Sequence, residues 1–149
     1  MQQITDLIIE LSKDPFNPVL STRIANEYYR LGQTASAVSF YLRTAEYGYH
    51  THGEHVYASL LKAAQCFENQ MGREHTVRNL MEKAIAYSPK RPEAWFLLSR
   101  YYERSQKWQE SYTAAEVGIQ NLPSIFFPLP IDIEYSGDFV LPFQKAVAA

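Results

Sequence analysis

The chain has little of several residue types, and each shortage excludes a class of protein. It contains one cysteine, Cys66, so no internal disulfide can form, which suits a reducing compartment. Its longest apolar runs fall far short of the roughly 20 residues that cross a bilayer. The first residues lack the charged and apolar regions of a secretory signal. We therefore expect a soluble, cytoplasmic protein without a membrane partner.

Charge of one sign is also lacking. Fourteen Lys and Arg residues stand against sixteen Asp and Glu residues, which leaves a formal net charge of −2. Nothing in this balance favours nucleic acid as a partner. The 149 residues are instead rich in hydrophobic (46%) and aromatic (14%) side chains, with eleven tyrosines. This composition predicts one folded domain with a sizeable core.

The clearest periodic unit begins at Pro92, a residue that suits the first turn of a helix. Trp95, Leu98, Ser99 and Tyr102 follow at the i, i+3, i+4, i+7 spacing of one helical face. A polar stretch then predicts a turn, and a second helix follows. Small residues recur along one face of this second helix: Ser111, Ala115 and Gly118.

This order of large, small and aromatic positions resembles a tetratricopeptide repeat, a helix–turn–helix unit of about 34 residues. An earlier copy has Ile24, Ala25 and Tyr28 in the first helix and a stop at Gly32. A middle copy is looser, with Ala64 in the small position. The departures from the family pattern are Ser21 in place of Trp, Thr44 in place of Ala, and Ala115 in place of an aromatic residue.

The resemblance implies an all-α fold, a right-handed α-α superhelix of about three helix-turn-helix repeats. The predicted parts are a capping N-terminal helix (1–14), three repeats (18–48, 57–89 and 92–123), an irregular crossing (124–137) and a C-terminal partial repeat (138–149). The alternative is a plain helical bundle, which the proline-punctuated repeat boundaries disfavour. Because the chain ends without a polar tail, we expect it to be part of a longer protein.

The order of features is also similar to the repeat domains attached to some bacterial and viral glycosyltransferases. The chain has no Asp-x-Asp motif on a strand and no α/β pattern, so a transferase domain would lie elsewhere in a longer protein. The resemblance implies an accessory domain. The segments that carry it are Asp14-Pro15, Tyr28-Tyr29-Arg30-Leu31-Gly32, Cys66-Phe67, Arg91-Pro92-Glu93-Ala94, Leu98-Ser99-Arg100-Tyr101-Tyr102 and residues 131–135.

No set of residues predicts catalysis, and we expect no cofactor. His50, His52 and His55 form a weak candidate for a metal site; the alternative is a polar loop over residues 49–55 with exposed histidines. Cys66 has no histidine at helical spacing, which favours a structural thiol. Asp132 and Glu134 are expected on one face of an extended segment, either as an acid–base pair or as solvated charges.

The first helix of each tetratricopeptide repeat lines a concave groove, which implies a binding face for a protein or peptide partner. Asn26 and Arg30 match positions that hold a carboxylate in some family members, but Thr22 and Leu61 depart from that clamp. The alternative is an open face that is simply solvated. The candidate groove residues are Asn26, Tyr29, Arg30, Lys62, Gln65, Asn69, Phe96, Arg100, Glu103 and Arg104.

These patterns favour a protein-interaction or scaffolding module. The alternative is a homodimer formed through the C-terminal helix, where Val140, Phe143 and Val147 make an apolar stripe with no second helix to cover it. An enzyme is the third hypothesis, and only the three histidines support it.

Overall fold

The computed structural model describes residues 3–70, 72–121, 129–135 and 140–149. Within these ranges the chain forms α-helices and no strands, which confirms the all-α prediction. The helices are α1 (Ile4–Lys13), α2 (Pro18–Arg30), α3 (Thr34–Tyr47), α4 (Gly53–Glu68), α5 (Glu74–Tyr87), α6 (Glu93–Arg104), α7 (Trp108–Gln120) and α8 (Val140–Ala148).

The chain divides into two compact units. The first unit comprises Met1–Leu80 and Leu129–Ile131, and the second comprises Met81–Pro128 and Asp132–Ala149. The boundary falls inside α5, so this helix contributes residues to both units. Across the described ranges, every helix is too short or too polar to cross a bilayer.

Helix α2 of the first unit has a well-defined start. The Asn17 side-chain oxygen accepts hydrogen bonds from the backbone N–H groups of Val19 (2.9 Å) and Leu20 (3.1 Å), and Pro18 occupies the first helical position. This cap fixes the phase of α2, so that Leu20 faces a cluster of buried leucines on α1.

The turns after α2 and α6 have the same backbone geometry. In each turn, three consecutive N–H groups donate to carbonyls four, three and five residues earlier. The middle residue is left-handed in both cases: Gly32 has φ 77° and Gln106 has φ 59°. Glycine adopts this conformation without strain, whereas glutamine does not. The helix pairs α2–α3 and α6–α7 therefore share the same turn conformation.

Small residues bring the helices of each pair close together. In the second unit, the Ser99 hydroxyl donates to the Ser111 carbonyl (2.7 Å), and the Ser111 hydroxyl donates to the Ser99 carbonyl (2.8 Å). Both serines are fully buried. In the first unit, Ala25 and Ala37 are buried and stand at the same distances from the shared turn. Ser99 and Ser111 therefore lie at the α6–α7 contact, and Ala25 and Ala37 are the buried residues at the equivalent positions of α2 and α3.

Helix α8 packs on α7 and α6 of the second unit. Leu141 is fully buried, and a Cβ atom added to Gly118 would lie 2.8 Å from a Leu141 methyl and 2.9 Å from the Trp95 Cβ. The helix predicted to lack a covering partner thus buries one face. The predicted apolar stripe lies on a different face of α8, where Phe143 is 69% exposed and Val147 is 40% exposed.

Two local predictions are wrong. Helix α4 begins at Gly53, so the expected loop over residues 49–55 is shorter and His55 lies in the first turn of α4. Residues 131–135 are not uniformly extended, because Glu134 has φ 64° and its N–H donates to the Asp132 carboxylate (3.0 Å). The predicted end of the third repeat at Pro123, residues 124–128 and 136–137 of the crossing, and the first two residues of the partial repeat (138–139) lie outside the described residues.

Candidate functional site

The polar candidates on α2 and α4 of the first unit meet at Tyr29 and Lys62. The Lys62 Nζ lies 3.9 Å from the centroid of the Tyr29 ring, a short distance for a cation–π contact. Lys62 is largely buried, whereas Tyr29 is 40% exposed. The Tyr29 ring therefore contacts the Lys62 ammonium group and remains partly exposed to solvent.

The side chain of Asn26 on α2 is oriented by Tyr41 of α3, a residue that the sequence analysis did not assign to the site. The fully buried Tyr41 hydroxyl donates to the Asn26 side-chain oxygen over 2.7 Å. Burial raises the pKa of Tyr41, and the nearby Cys66 and Tyr29 raise it further, so the phenol keeps its proton and remains a donor. This hydrogen bond orients the half-buried Asn26 amide with its oxygen toward Tyr41, so its N–H donors lie on the other side of the amide group.

The remaining first-unit candidates are peripheral. Arg30 donates from Nε (3.1 Å) and Nη2 (2.8 Å) to one Glu27 oxygen, and its side chain is 55% exposed. Asn69 is the exposed C-cap residue of α4, and Gln65 is half-buried on the same helix. The structure thus brings together Tyr29 and Lys62, while Arg30 and Asn69 stand at the edges of the set.

Cys66 lies behind this surface and is 1% exposed. Burial raises the pKa of its thiol, and the charge of Lys62 only partly opposes that rise. A protonated, inaccessible thiol is a poor nucleophile. The geometry favours the structural interpretation of Cys66 over a catalytic one.

The candidates on α6 of the second unit are already engaged by residues that follow α7. Arg100 Nη2 lies 3.0 Å from a Glu134 carboxylate oxygen. The Phe96 ring meets Tyr135 edge-on, with centroids 5.7 Å apart. Glu103 accepts a hydrogen bond from the buried Gln144 amide of α8. No sequence pattern predicts these pairings, because they join residues far apart in the chain.

Arg104, the fourth α6 candidate, is exposed near the end of the helix. A different charged pair, which sequence reasoning did not assign to the site, lies at the start of α6. Glu93 is 1% exposed and accepts three hydrogen bonds from Arg91: Nε donates to both carboxylate oxygens (3.2 and 3.3 Å) and Nη2 donates to one of them (2.7 Å). Their i, i+2 spacing around Pro92 was the available signal. The Arg91 guanidinium compensates the charge of the buried Glu93 carboxylate, and the ion pair stabilises the first turn of α6.

A cleft of about 460 Å³ lies between α6 and α7 in the second unit. Its apolar side is made by Trp95, Leu98 and Tyr102, which the sequence pattern marked as packing residues. The buried Trp95 Nε1 has no hydrogen-bond partner within the described part of the chain. The remaining lining residues are Gln109, Glu110, Thr113 and Ala114.

The three candidate metal-binding histidines do not form a metal centre. His52 and His55 stack edge-on at 5.8 Å, whereas the His50 ring contacts Tyr49. No three His, Cys, Asp or Glu side chains of the described ranges are placed to share one ion. Burial lowers the pKa of His55, and the neighbouring His52 lowers it further against an opposing effect of Glu54.

Comparison of the chain with protein-family models and with curated proteins finds no match.

Proposed function

We propose that this chain is a non-catalytic protein-interaction module that binds an extended peptide segment of a partner. The observation that carries the proposal is the α2–α4 surface of the first unit, where Tyr29, Lys62 and the oriented Asn26 amide lie on neighbouring helices. An aromatic face beside amide donors suits the backbone and carboxylate groups of an extended peptide.

The proposal includes a stacked, tetratricopeptide-type superhelix as the architecture. The shared turn geometry of α2–α3 and α6–α7 supports it, as do the buried small residues at both helix contacts. In such an array the first helix of each pair lines the binding face. The further idea that the module serves a glycosyltransferase rests only on the order of sequence features.

Selection of peptides from a displayed random library tests the binding proposal. We expect peptides enriched on the wild-type chain to lose most of their binding to Tyr29→Ala and to Lys62→Gln. Tyr49→Ala is the matched control, because Tyr49 is an exposed tyrosine of the same unit outside the α2–α4 surface. Failure to enrich any peptide, or equal binding to all three variants, contradicts the proposal.

Self-association is the second candidate function, and the exposed face of α8 favours it. Phe143 is the most exposed large hydrophobic residue in the described ranges, and Val147 lies one turn further along the same helix. Burying such a stripe against a second copy would remove apolar surface from water.

Analytical ultracentrifugation over a wide concentration range tests this alternative. We expect Phe143→Asp to be monomeric at concentrations where the wild type forms dimers. Ala146→Asp, at another exposed position of the same helix, adds the same single charge and controls for a simple charge effect. A wild-type chain that remains monomeric at the highest concentration removes this function.

A further inference from the structure

Residues 132–135 lie against α6 of the second unit and are anchored by side chains. The Glu134 carboxylate is 3.0 Å from Arg100 Nη2, and the Tyr135 ring meets Phe96 edge-on. Ile133 is only 3% exposed. The Arg100 guanidinium also lies 5.4 Å from the Phe96 centroid, so the basic and aromatic anchors form one continuous surface.

The backbone of this segment is held in an unfavourable conformation. Glu134 has φ 64°, and its N–H is satisfied by the Asp132 side chain (3.0 Å) in place of a secondary-structure partner. A left-handed conformation is sterically unfavourable for a residue that carries a Cβ atom. The side-chain anchors therefore hold the segment in place against a local strain.

The ion pair between Glu134 and Arg100 is also one that another carboxylate can replace. The Glu134 side chain is 59% exposed, whereas the Arg100 side chain is 19% exposed. An ion pair with one partner in solvent contributes little net free energy. A second carboxylate could replace Glu134 on Arg100 with little net change in energy.

We propose that residues 132–135 are an internal mimic of a ligand, and that the α6 surface binds partner peptides with the order apolar, acidic, aromatic. Ile133, Glu134 and Tyr135 display this order in the structure. The inference rests on the proposed peptide-binding function and adds a second surface with a defined partner chemistry. The partner must displace the internal segment, so binding is restrained by the chain itself.

The recognition follows from what α6 offers. Arg100 requires an anion with oxygens that can reach its N–H groups, and Phe96 requires a ring that can approach edge-on. A bare anion satisfies only the first requirement. Inorganic phosphate should therefore compete weakly, and a peptide without the aromatic residue should bind less well than one that has it.

The test uses a fluorescent peptide, Leu-Pro-Ile-Asp-Ile-Glu-Tyr, that copies residues 129–135. An opened variant, Glu134→Ala with Tyr135→Ala, removes the acidic and aromatic anchors of the internal segment and keeps Ile133, Arg100 and Phe96. We expect fluorescence anisotropy to show about tenfold tighter binding to the opened variant than to the wild type, as for a site that is free one-tenth of the time.

Arg100→Glu in the opened variant should abolish this binding, and a peptide with Lys in place of its Glu should restore it. Lys90→Glu is the control, because it makes the same charge reversal at an exposed site of the same unit. Circular dichroism checks that each variant keeps its helices.

Absence of binding by a folded opened variant overturns the inference, as does equal binding to wild type and opened variant. Binding that survives Arg100→Glu also overturns it. If the copied peptide fails while library peptides still depend on Tyr29, only the inference about α6 falls. If both fail, the proposed function falls as well.

Discussion

At the scale of single residues, backbone conformation separates two otherwise equivalent turns. Gly32 and Gln106 hold the same left-handed position after α2 and α6. Only glycine does so without a steric penalty from Cβ. The turn after α6 therefore carries a backbone strain at Gln106 that a glycine at this position would remove.

Gln106→Gly should raise the free energy of unfolding of the second unit by about 1 kcal/mol, because it relieves the left-handed strain and Gln106 is exposed. Urea unfolding monitored by tryptophan fluorescence measures the change, since both Trp95 and Trp108 lie in this unit. The opposite substitution, Gly32→Ala, should destabilise the first unit. A loss of stability in Gln106→Gly would contradict this account.

His55 provides a residue-scale test of pH dependence. Because its folded pKa lies below the ordinary value of 6.5, the unfolded chain binds a proton more readily. The stability that depends on neutral His55 should be fully present above pH 6.5. It should be lost as the pH falls through the interval between the unfolded and folded pKa values.

NMR titration of the His55 ring checks the direction of this shift against the ordinary histidine pKa of 6.5. In the His55→Gln variant, the corresponding fall in stability below pH 6.5 should be reduced. A His55 pKa at or above 6.5 would show that burial does not disfavour the charged ring.

At the scale of helices, sequence periodicity succeeded where one face is clearly marked. The small residues Ser99 and Ser111 were identifiable, because large side chains surround them at helical spacing. Helix α8 was harder, since it is apolar on several sides and periodicity alone cannot select the buried face. The absence of a side chain at Gly118 makes room for Leu141 and selects that face.

The reciprocal hydrogen bonds between α6 and α7 should behave as one unit. Ser99→Ala leaves the Ser111 carbonyl without its 2.7 Å donor, so we expect a loss of about 1–3 kcal/mol of unfolding free energy. The double substitution Ser99→Ala with Ser111→Ala should cost less than the sum of the two single changes.

A double-mutant cycle in urea measures this coupling, and Ser105→Ala, an exposed serine at the end of α6, serves as the control. Strictly additive effects would mean that the two hydroxyls contribute independently.

At the scale of the whole molecule, the all-α class was predictable but the candidate binding surfaces were only partly so. Asn26, Tyr29 and Lys62 followed from the phase of the first helices. The contacts of Glu134 and Tyr135 with α6 did not, because they depend on the return of the chain after α7. No local rule places such a return.

Cys66 reports on opening of the first unit as a whole. Because the thiol is 1% exposed and its pKa is raised, we expect very slow reaction with a disulfide reagent at pH 8 in the folded chain. The reaction rate should rise sharply through the urea unfolding transition. The amount of thiolate released from the reagent, measured over time, gives this rate. Rapid labelling under native conditions would contradict the burial of Cys66.

The attachment of residues 132–135 to the chain sets a threshold for any competitor. A tethered segment acts at an effective concentration that reaches about the millimolar range for short flexible links. A free peptide with the same intrinsic affinity for Arg100 and Phe96 must approach that concentration before it occupies the surface. A free peptide at low concentration therefore does not displace the segment. Displacement is favoured for a partner that a second attachment holds nearby.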